Sequence, residues 1–407
     1  MSLLSRRRTA LTQLAAGTFT AGAALARPLA IRAEGEEPLI WDEAAAPVSP
    51  EMPAETPLDP AAQPAAQPPP PSFAYGMQAH FYYQDAARIA GYVQDAGFGW
   101  VKQQVRWGDV ESVPGSPAWG PLDTIVEAAA AAGLKVLFSV VTAPAWSRAL
   151  GGTDGPPDDY AAMADFMSRL ATRYAGRVHA YEVWNEQNFA REWGGGRISA
   201  GQYVELLKAV YPAVKAADPA AVVISGAPTP TGFNDPNVAV DDVVYLEQCY
   251  LYQSGVFATV CDAIGAHAGG FNNPPDDTPD LRTVASTTFK GHMSFYFRRI
   301  EQLRNIMALY GDAAKKLWVT EFGWSTVNGA RGYEYGLDNT EQDQARYMVR
   351  AYQLAREYGW VDGMFVWNLN FQQMVPPADE KWAFGILRAD GSPRPAFSAL
   401  KLMPKLP

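Results

Sequence analysis

Two glutamates stand at the ends of apolar runs that predict β-strands. Glu186 closes the run VHAYEVWNE (178–186), and Glu321 lies near the end of KLWVTEFGW (316–324). A carboxyl group in such a place can donate or accept a proton, or attack as a nucleophile. For Glu186 the alternative is a helix cap, because acidic side chains are stabilising at the start of a helix. The elements that position the two glutamates decide between these interpretations.

Strand-like runs alternate with helical segments from residue 73 to the C-terminus. The predicted strands cover 73–80, 100–107, 134–141, 178–186, 221–228, 262–269, 316–324 and 361–370. Amphipathic helices such as 121–133 and 159–176 end at Gly133 and Gly176, where a helix favours a left-handed residue. Eight such alternations predict an α/β fold, the (β/α)8 TIM barrel. A doubly wound open sheet is the alternative, but the Gly-rich phosphate turn that it favours after an early strand is missing.

Polar side chains gather at the predicted C-terminal strand ends, where barrel enzymes place their active sites. These residues are His80, Arg106, Asn185, Glu186, His267, Glu321 and the segment 367–370. Polar groups at the end of apolar strands are costly to desolvate unless they bind a ligand or pair with one another. The two carboxyl groups are the most informative members of this set.

The motifs WNEQN (184–188) and TEFGW (320–324) resemble the acid/base and nucleophile motifs of the retaining glycoside hydrolases of clan A, near families 5 and 39. The resemblance implies a glycosidase that cleaves O-glycosidic bonds of a polysaccharide or oligosaccharide by double displacement. Glu186 would be the acid/base and Glu321 the nucleophile. Retaining enzymes hold the two carboxyl groups about 5 to 5.5 Å apart. Such proximity of like charges favours keeping one of them protonated. Transglycosylation is a variant of the same chemistry.

The resemblance also implies roles for Asn185 and Arg106. Asn185 resembles the side chain that binds the sugar 2-hydroxyl, and a turn residue is its alternative. Arg106 resembles the strand 2 arginine that holds the nucleophile, Glu321, ionised. The alternative for Arg106 is a buried ion pair with Glu182, and both contacts are compatible.

His267 resembles the strand 6 histidine of the clan, but the pattern departs two residues later. Gly269 stands where the clan commonly has a tyrosine that contacts the nucleophile. This departure motivates an alternative function, a carbohydrate-binding barrel with little or no turnover. Candidates to replace the tyrosine, by position only, are Tyr296, Tyr333 and Tyr335. We expect His80 to bind a sugar hydroxyl.

Aromatic side chains after several strands predict walls of sugar subsites, because a flat ring covers the apolar face of a sugar. Trp367 in VWNLN resembles the strand 8 tryptophan at the catalytic subsite of the clan. Trp146 and Trp324 are further candidates, with core packing as their alternative.

The composition narrows the choice of partners. A formal net charge of -10 without a basic stripe in the body argues against a nucleic-acid partner. The four histidines do not cluster, so we predict no metal and no cofactor. We expect a carbohydrate substrate and a monomer. Cys249 and Cys261 are the only cysteines, and the sequence leaves open whether they form a disulfide.

The N-terminal 72 residues divide into two predicted segments. Residues 1–33 resemble a bacterial twin-arginine export signal, with Arg6 to Arg8 followed by a weakly apolar run. Residues 34–72 are rich in Pro and Ala and predict a disordered linker before the catalytic domain, 73–407. We therefore expect an exported protein that is periplasmic, cell-surface or extracellular, without stable membrane insertion after signal removal.

Overall fold

Eight parallel strands form the centre of the fold in this computed structural model, which describes residues 73–149, 154–279, 289–328 and 330–406. The strands are β1 Ala74–Gln78, β2 Trp100–Arg106, β3 Lys135–Val141, β4 Ala180–Val183, β5 Val222–Ser225, β6 Ile264–Gly269, β7 Leu317–Gly323 and β8 Val361–Val366. Each lies within one of the eight predicted runs. The predicted export signal and linker lie outside the described residues.

The strands close into a barrel. Their order in the sheet is β5-β4-β3-β2-β1-β8-β7-β6, and all pairs are parallel. A parallel bridge between Ile224 of β5 and Ala263, just before β6, joins the two edges. The prediction of a (β/α)8 barrel is therefore confirmed, and the open-sheet alternative is excluded.

Helices connect successive strands and pack around them. Their bounds are α1 Ala86–Asp95, α2 Gly120–Ala131, α3 Tyr160–Arg173, α4 Ala200–Ala217, α5 Asp242–Leu251, α6 Arg299–Leu309, α7 Glu341–Tyr358 and α8 Pro395–Leu402. A single α-helical turn, Trp107–Val110, follows β2, and a small hairpin pairs Asn234–Asp235 with Ala239–Val240. The loops also contain 3₁₀ segments at Ala145–Ser147, Ala190–Glu192, Tyr252–Thr259, Met293–Phe295, Glu334–Asp338, Phe371–Gln373 and Trp382–Phe384.

Local sequence signals set the helix ends. The Asp85 and Asp159 side chains accept hydrogen bonds from the first-turn amides of α1 and α3. Thr340 and Asp343 form a capping box at the start of α7. Gly133, after α2, adopts a φ of +68°, as the sequence predicts. Among the described residues, no helix is long and apolar enough to span a membrane.

The barrel interior changes from apolar to polar along the strands. One buried layer contains only apolar side chains, including Trp100, Leu137, Ala180 and Trp318. Two positions further along the same strands stand Lys102, Ser139, Glu182 and Thr320, all fully buried. Since side chains two residues apart on a strand share a face, this second layer also points into the barrel. The active-site candidates lie directly above it.

Candidate active site

The chain leaves strand geometry directly after β4. Trp184 and Glu186 have positive φ angles of 76° and 48°, which cost a non-glycine residue about 1 kcal/mol or more. The Glu186 amide donates to the Ala227 carbonyl at 2.9 Å, and the Gln187 side chain donates to the Gly226 carbonyl at 2.7 Å. These bonds to the segment after β5 fix the turn that presents Glu186.

A β-bulge in β7 positions Glu321. His267 of β6 pairs with Glu321, whereas the residue before His267 pairs with Val319. Thr320 is therefore an extra residue in β7, and such a bulge interrupts the strict alternation of side chains. As a result both Thr320 and Glu321 face the interior. The Thr320 hydroxyl donates to Glu182 Oε1 at 2.6 Å.

Lys102, in the middle of β2, holds Glu321 from below. Its Nζ lies 3.0 Å from Glu321 Oε1 and 3.0 Å from Glu182 Oε2, and it also donates to the Thr320 carbonyl at 3.3 Å. Lys102 thus donates hydrogen bonds to Glu321 and to the Thr320 carbonyl, and forms an ion pair with Glu182. All three ionised side chains are fully buried. The cation therefore compensates two carboxylates in a place without solvent.

His267 joins the two candidate catalytic glutamates. Its Nδ1 lies 3.0 Å from Glu186 Oε1, and its Nε2 lies 4.0 Å from Glu321 Oε2. The contact with Glu186 requires one shared proton, held by either the carboxyl group or the imidazole. Glu186 therefore faces the same buried space as Glu321 and does not cap a helix.

Electrostatic effects in this cluster oppose one another. Burial raises the pKa of Glu321, and the neighbouring Lys102 and His267 act against that rise. Burial also acts to raise the pKa of Glu182, but Lys102, His267 and hydrogen bonds from Thr320 and Ser139 together outweigh it and lower that pKa. Burial acts to lower the pKa of His267, whereas Glu321 and Glu186 raise it above its usual value. The cluster thus keeps charge in the barrel interior through internal pairing.

Asn185 directly precedes Glu186, and Trp367 directly follows β8. Asn185 is 1% exposed, yet neither its side-chain oxygen nor its nitrogen has a hydrogen-bond partner among the described residues. Trp367 follows β8, and its amide donates to the Phe322 carbonyl at 2.8 Å, one residue after Glu321. The peptide bond between Trp367 and Asn368 is cis. A buried, unsatisfied amide such as Asn185 suits a polar ligand.

The predicted contact of Arg106 with Glu321 or with Glu182 is wrong. Arg106 instead forms two hydrogen bonds with the Asp154 carboxylate, at 2.8 and 2.7 Å. Arg106 lies four positions beyond Lys102 on the strand, a rise of about 13 Å, so Arg106 lies nearer the mouth of the barrel. Lys102 makes both of the contacts expected of Arg106.

The spacing of Lys102 in the sequence indicates that its side chain faces the barrel interior. Lys102 lies two positions after Trp100 in the run WVKQQVRW. On a strand this spacing puts both side chains on the same face. A lysine facing a barrel interior needs an acidic partner. Glu182 and Glu321 are such partners on other strands.

Three predicted sugar contacts lie in different surroundings. His80 lines a cavity of about 260 Å³ together with Arg106, and burial lowers the pKa of His80 to about 4. Trp146 is 38% exposed, and its indole donates to the Glu111 carbonyl at 2.8 Å. Trp324 is fully buried and donates to the Asn273 carbonyl at 2.9 Å. For Trp324 the structure therefore favours packing over sugar contact, while His80 and Trp146 remain predictions.

The three tyrosines considered in place of Gly269 differ in their contacts. The Tyr296 hydroxyl donates to the Lys290 carbonyl at 2.8 Å, away from the nucleophile. Tyr333 and Tyr335 belong to one buried aromatic cluster with Trp367. The sequence leaves open whether Cys249 and Cys261 form a disulfide. In the structure both are buried free thiols.

Comparison with known proteins assigns the family. A model of cellulase (glycosyl hydrolase family 5) matches residues 66–373. The chain belongs to glycoside hydrolase family 5. This family lies in clan A, as the resemblance of WNEQN and TEFGW implies. No curated protein matches the sequence.

Solved structures share the barrel of this family 5 chain at low sequence identity. A family 39 glycoside hydrolase from Bacteroides cellulosilyticus WH2 aligns with a TM-score of 0.62 and 22% identity, over 82% of this chain and 63% of that chain. A glucosidase from Croceicoccus marinus gives 0.57 and 18%, over 82% and 67%. A family 5 enzyme variant from Streptomyces cattleya gives 0.59 and 16%, over 81% and 79%. The present chain therefore spans less than two thirds of the Bacteroides protein, and these likenesses support the fold.

Proposed function

We propose that the protein is a retaining glycosidase that cleaves O-glycosidic bonds of a polysaccharide or oligosaccharide through a covalent glycosyl-enzyme. The observation that carries this proposal is the shared contact of Glu186 and Glu321 with His267, at 3.0 and 4.0 Å. Each glutamate also has one oxygen, Oε2, without a hydrogen-bond partner among the described residues. Two carboxyl groups facing one buried space are what double displacement at an anomeric carbon requires.

In the first step Glu186 protonates the departing glycosidic oxygen while Glu321 attacks the anomeric carbon. Glu321 Oε1 is held by Lys102 at 3.0 Å, which leaves Oε2 as the attacking atom. The Lys102 cation favours the ionised form of Glu321, which the attack needs. His267 Nδ1 keeps the Glu186 carboxyl oriented through their shared proton.

In the second step water hydrolyses the ester on Glu321. Once Glu321 is esterified it carries no charge, so its repulsion of a carboxylate at Glu186 disappears. Glu186 then accepts a proton from the attacking water. The side-chain amide of Asn185 is available to bind the sugar 2-hydroxyl, an interaction that strengthens in the transition state.

Gly269 supports a second candidate function, a carbohydrate-binding barrel with little turnover. The clan commonly has a tyrosine there. The hydroxyl of Tyr296, one candidate to replace that tyrosine, donates to the Lys290 carbonyl instead. In this chain the Lys102 contact offers another way to hold Glu321. We therefore favour the enzyme.

A trapping experiment tests the double-displacement mechanism. Incubation with activated 2-deoxy-2-fluoro glycosides of several sugars should add one glycosyl group to the protein, and peptide mass spectrometry should locate it on Glu321. The Glu321→Gln variant is the matched control and should remain unlabelled. Glu186→Gln should still form the glycosyl-enzyme from an activated substrate, and azide should restore its turnover.

The same panel separates the competing functions. A folded protein that binds a glycan but neither hydrolyses nor is labelled by any sugar of the panel would establish the binding barrel instead. Transfer of the glycosyl group to an added sugar, seen in product analysis, would establish transglycosylation.

A further inference from the structure

The segment 330–340, after β7, is tied to the loops that follow β6 and β8. The Asn339 side chain donates to the carbonyls of Phe271 and Ser325, at 2.6 and 2.9 Å. Just before the segment, the Asn328 side chain donates to the Glu380 carbonyl at 2.8 Å. Bonds to both neighbouring loops hold the segment in one conformation.

The same segment has a close backbone contact that only glycine permits. A side-chain carbon at Gly336 would lie 2.0 Å from the Thr326 carbonyl oxygen. Gly336 therefore lets the chain pass directly against the first residues of the loop. This contact and the Asn339 bonds fix the position of Tyr333 over the barrel.

Tyr333 belongs to the same aromatic cluster as the indole expected under the sugar. Its ring centroid is 6.3 Å from that of Phe384, which in turn lies 4.9 Å from Trp367. Tyr333, Phe384 and Trp367 belong to one buried cluster above the ends of β7 and β8. Packing alone would explain an aromatic ring here, but it does not explain a hydroxyl group.

The hydroxyl of Tyr333 is buried without a hydrogen-bond partner among the described residues. The side chain is 1% exposed, and a buried polar group without a partner is unusual in a folded protein. Burial raises the pKa of Tyr333, and Glu380 and Glu186 raise it further. The phenol is therefore a neutral donor close enough to Glu186 to sense its charge.

Two charged side chains besides Glu186 interact electrostatically with Tyr333. Arg191, in the loop after β4, acts electrostatically on both Tyr333 and Glu380. Glu380, in the loop after β8, is partly buried and interacts with Glu186 as well. Glu186 is the residue that protonates the leaving oxygen in the proposed mechanism, so polar groups that interact with Glu186 are candidates to contact the leaving group.

We propose that the Tyr333 hydroxyl donates a hydrogen bond to a sugar leaving group beside Glu186, and so favours glycans over glycosides with apolar leaving groups. The inference rests on the proposed function and extends it to the leaving group. Hydrogen-bonding sites discriminate strongly against ligands that lack the matching polar group, because their own buried groups then remain unpaired.

The test compares Tyr333→Phe with the control Tyr335→Phe. Both tyrosines are buried in the same cluster and segment, and both variants keep the ring. The substrates are the oligosaccharide that the parent enzyme cleaves best and the glycosyl fluoride of the same terminal sugar. Fluoride carries no sugar, so with this substrate the Tyr333 hydroxyl has no leaving-group sugar to contact.

Tyr333→Phe should lower kcat/KM for the oligosaccharide roughly tenfold, the expected size for one buried hydrogen bond, and leave kcat/KM for the fluoride nearly unchanged. Tyr335→Phe should leave the ratio of the two values at that of the parent. Equal losses on both substrates in Tyr333→Phe would overturn the inference, as would the same change of ratio in Tyr335→Phe. Failure of the parent enzyme to hydrolyse even the fluoride would instead show that the proposed function is wrong.

Discussion

Two ion pairs on β2 show how depth in the barrel changes what a charge does. Lys102 and its partner Glu321 are both fully buried, whereas the Arg106 and Asp154 side chains are 24% and 27% exposed. Charges interact strongly where solvent is excluded, and loss of one partner there strands the other in an apolar interior. Nearer the surface water replaces a lost partner, so such pairs contribute little. In the proposed mechanism the inner pair therefore takes part in the chemistry, whereas the outer pair shapes the mouth of the barrel.

The largest expected difference comes from neutralising the acid of each pair. Glu321→Gln removes the nucleophile and should lower kcat by several orders of magnitude, because no glycosyl-enzyme forms. Asp154→Asn, the matched change at the mouth, should alter kcat by less than about tenfold, as expected of a partly exposed pair. Steady-state hydrolysis of an activated aryl glycoside measures both. Glu321→Gln activity close to that of the parent would exclude the assignment of the nucleophile.

A smaller and more specific effect is expected from Lys102→Met. Burial already raises the pKa of Glu321, and Lys102 opposes that rise. Removal of the cation should raise this pKa further, because nothing else as close among the described residues offsets the burial of the carboxylate. Because only ionised Glu321 attacks, activity would then be lost at higher pH than in the parent. The acidic limb of the pH profile of kcat/KM should therefore move to higher pH.

The Lys102→Arg variant tests whether the effect of Lys102 depends on its positive charge or on the shape of its side chain. It keeps the cation, so its acidic limb should stay near that of the parent even if its turnover falls. Chemical denaturation should also show that Lys102→Met loses roughly 3 to 5 kcal/mol, the usual cost of leaving buried charges unpaired. An unchanged acidic limb in folded Lys102→Met would contradict the ion-pair role.

The sequence predicts the frame of this site better than its interior contacts. Eight apolar runs and two motifs are enough to locate the barrel, Glu186 and Glu321, because each depends on local pattern. Lys102 was missed because its role depends on barrel register, which sets the layer that a side chain occupies. Motif comparison favoured Arg106, which stands nearer the predicted strand end. The bulge at Thr320 also lies beyond local pattern, since it is defined by pairing with β6.

Loop conformation is the second part that the sequence leaves open. Tyr333 and Tyr296 are equivalent candidates by position. Within the part of the chain that the structure describes, the buried Tyr333 hydroxyl has no hydrogen-bond partner, whereas the Tyr296 hydroxyl donates to the Lys290 carbonyl. The difference arises from tertiary bonds such as those of Asn339 to the loop after β6. Such bonds join segments far apart in the chain, and composition does not encode them.

The smallest expected effect is that of Arg106→Met. Its pair with Asp154 is partly exposed, so the free energy of unfolding should fall by less than about 1 kcal/mol. The acidic limb of kcat/KM should not move, because Lys102 remains on Glu321. If Arg106 binds substrate from the cavity that it lines with His80, KM should rise while kcat stays near the parent value. Denaturant titration and a pH series of kcat/KM measure these quantities. An acidic limb displaced as far as that of Lys102→Met would show that the two pairs act as one network. It would contradict the distinction between the buried pair and the pair at the mouth of the barrel.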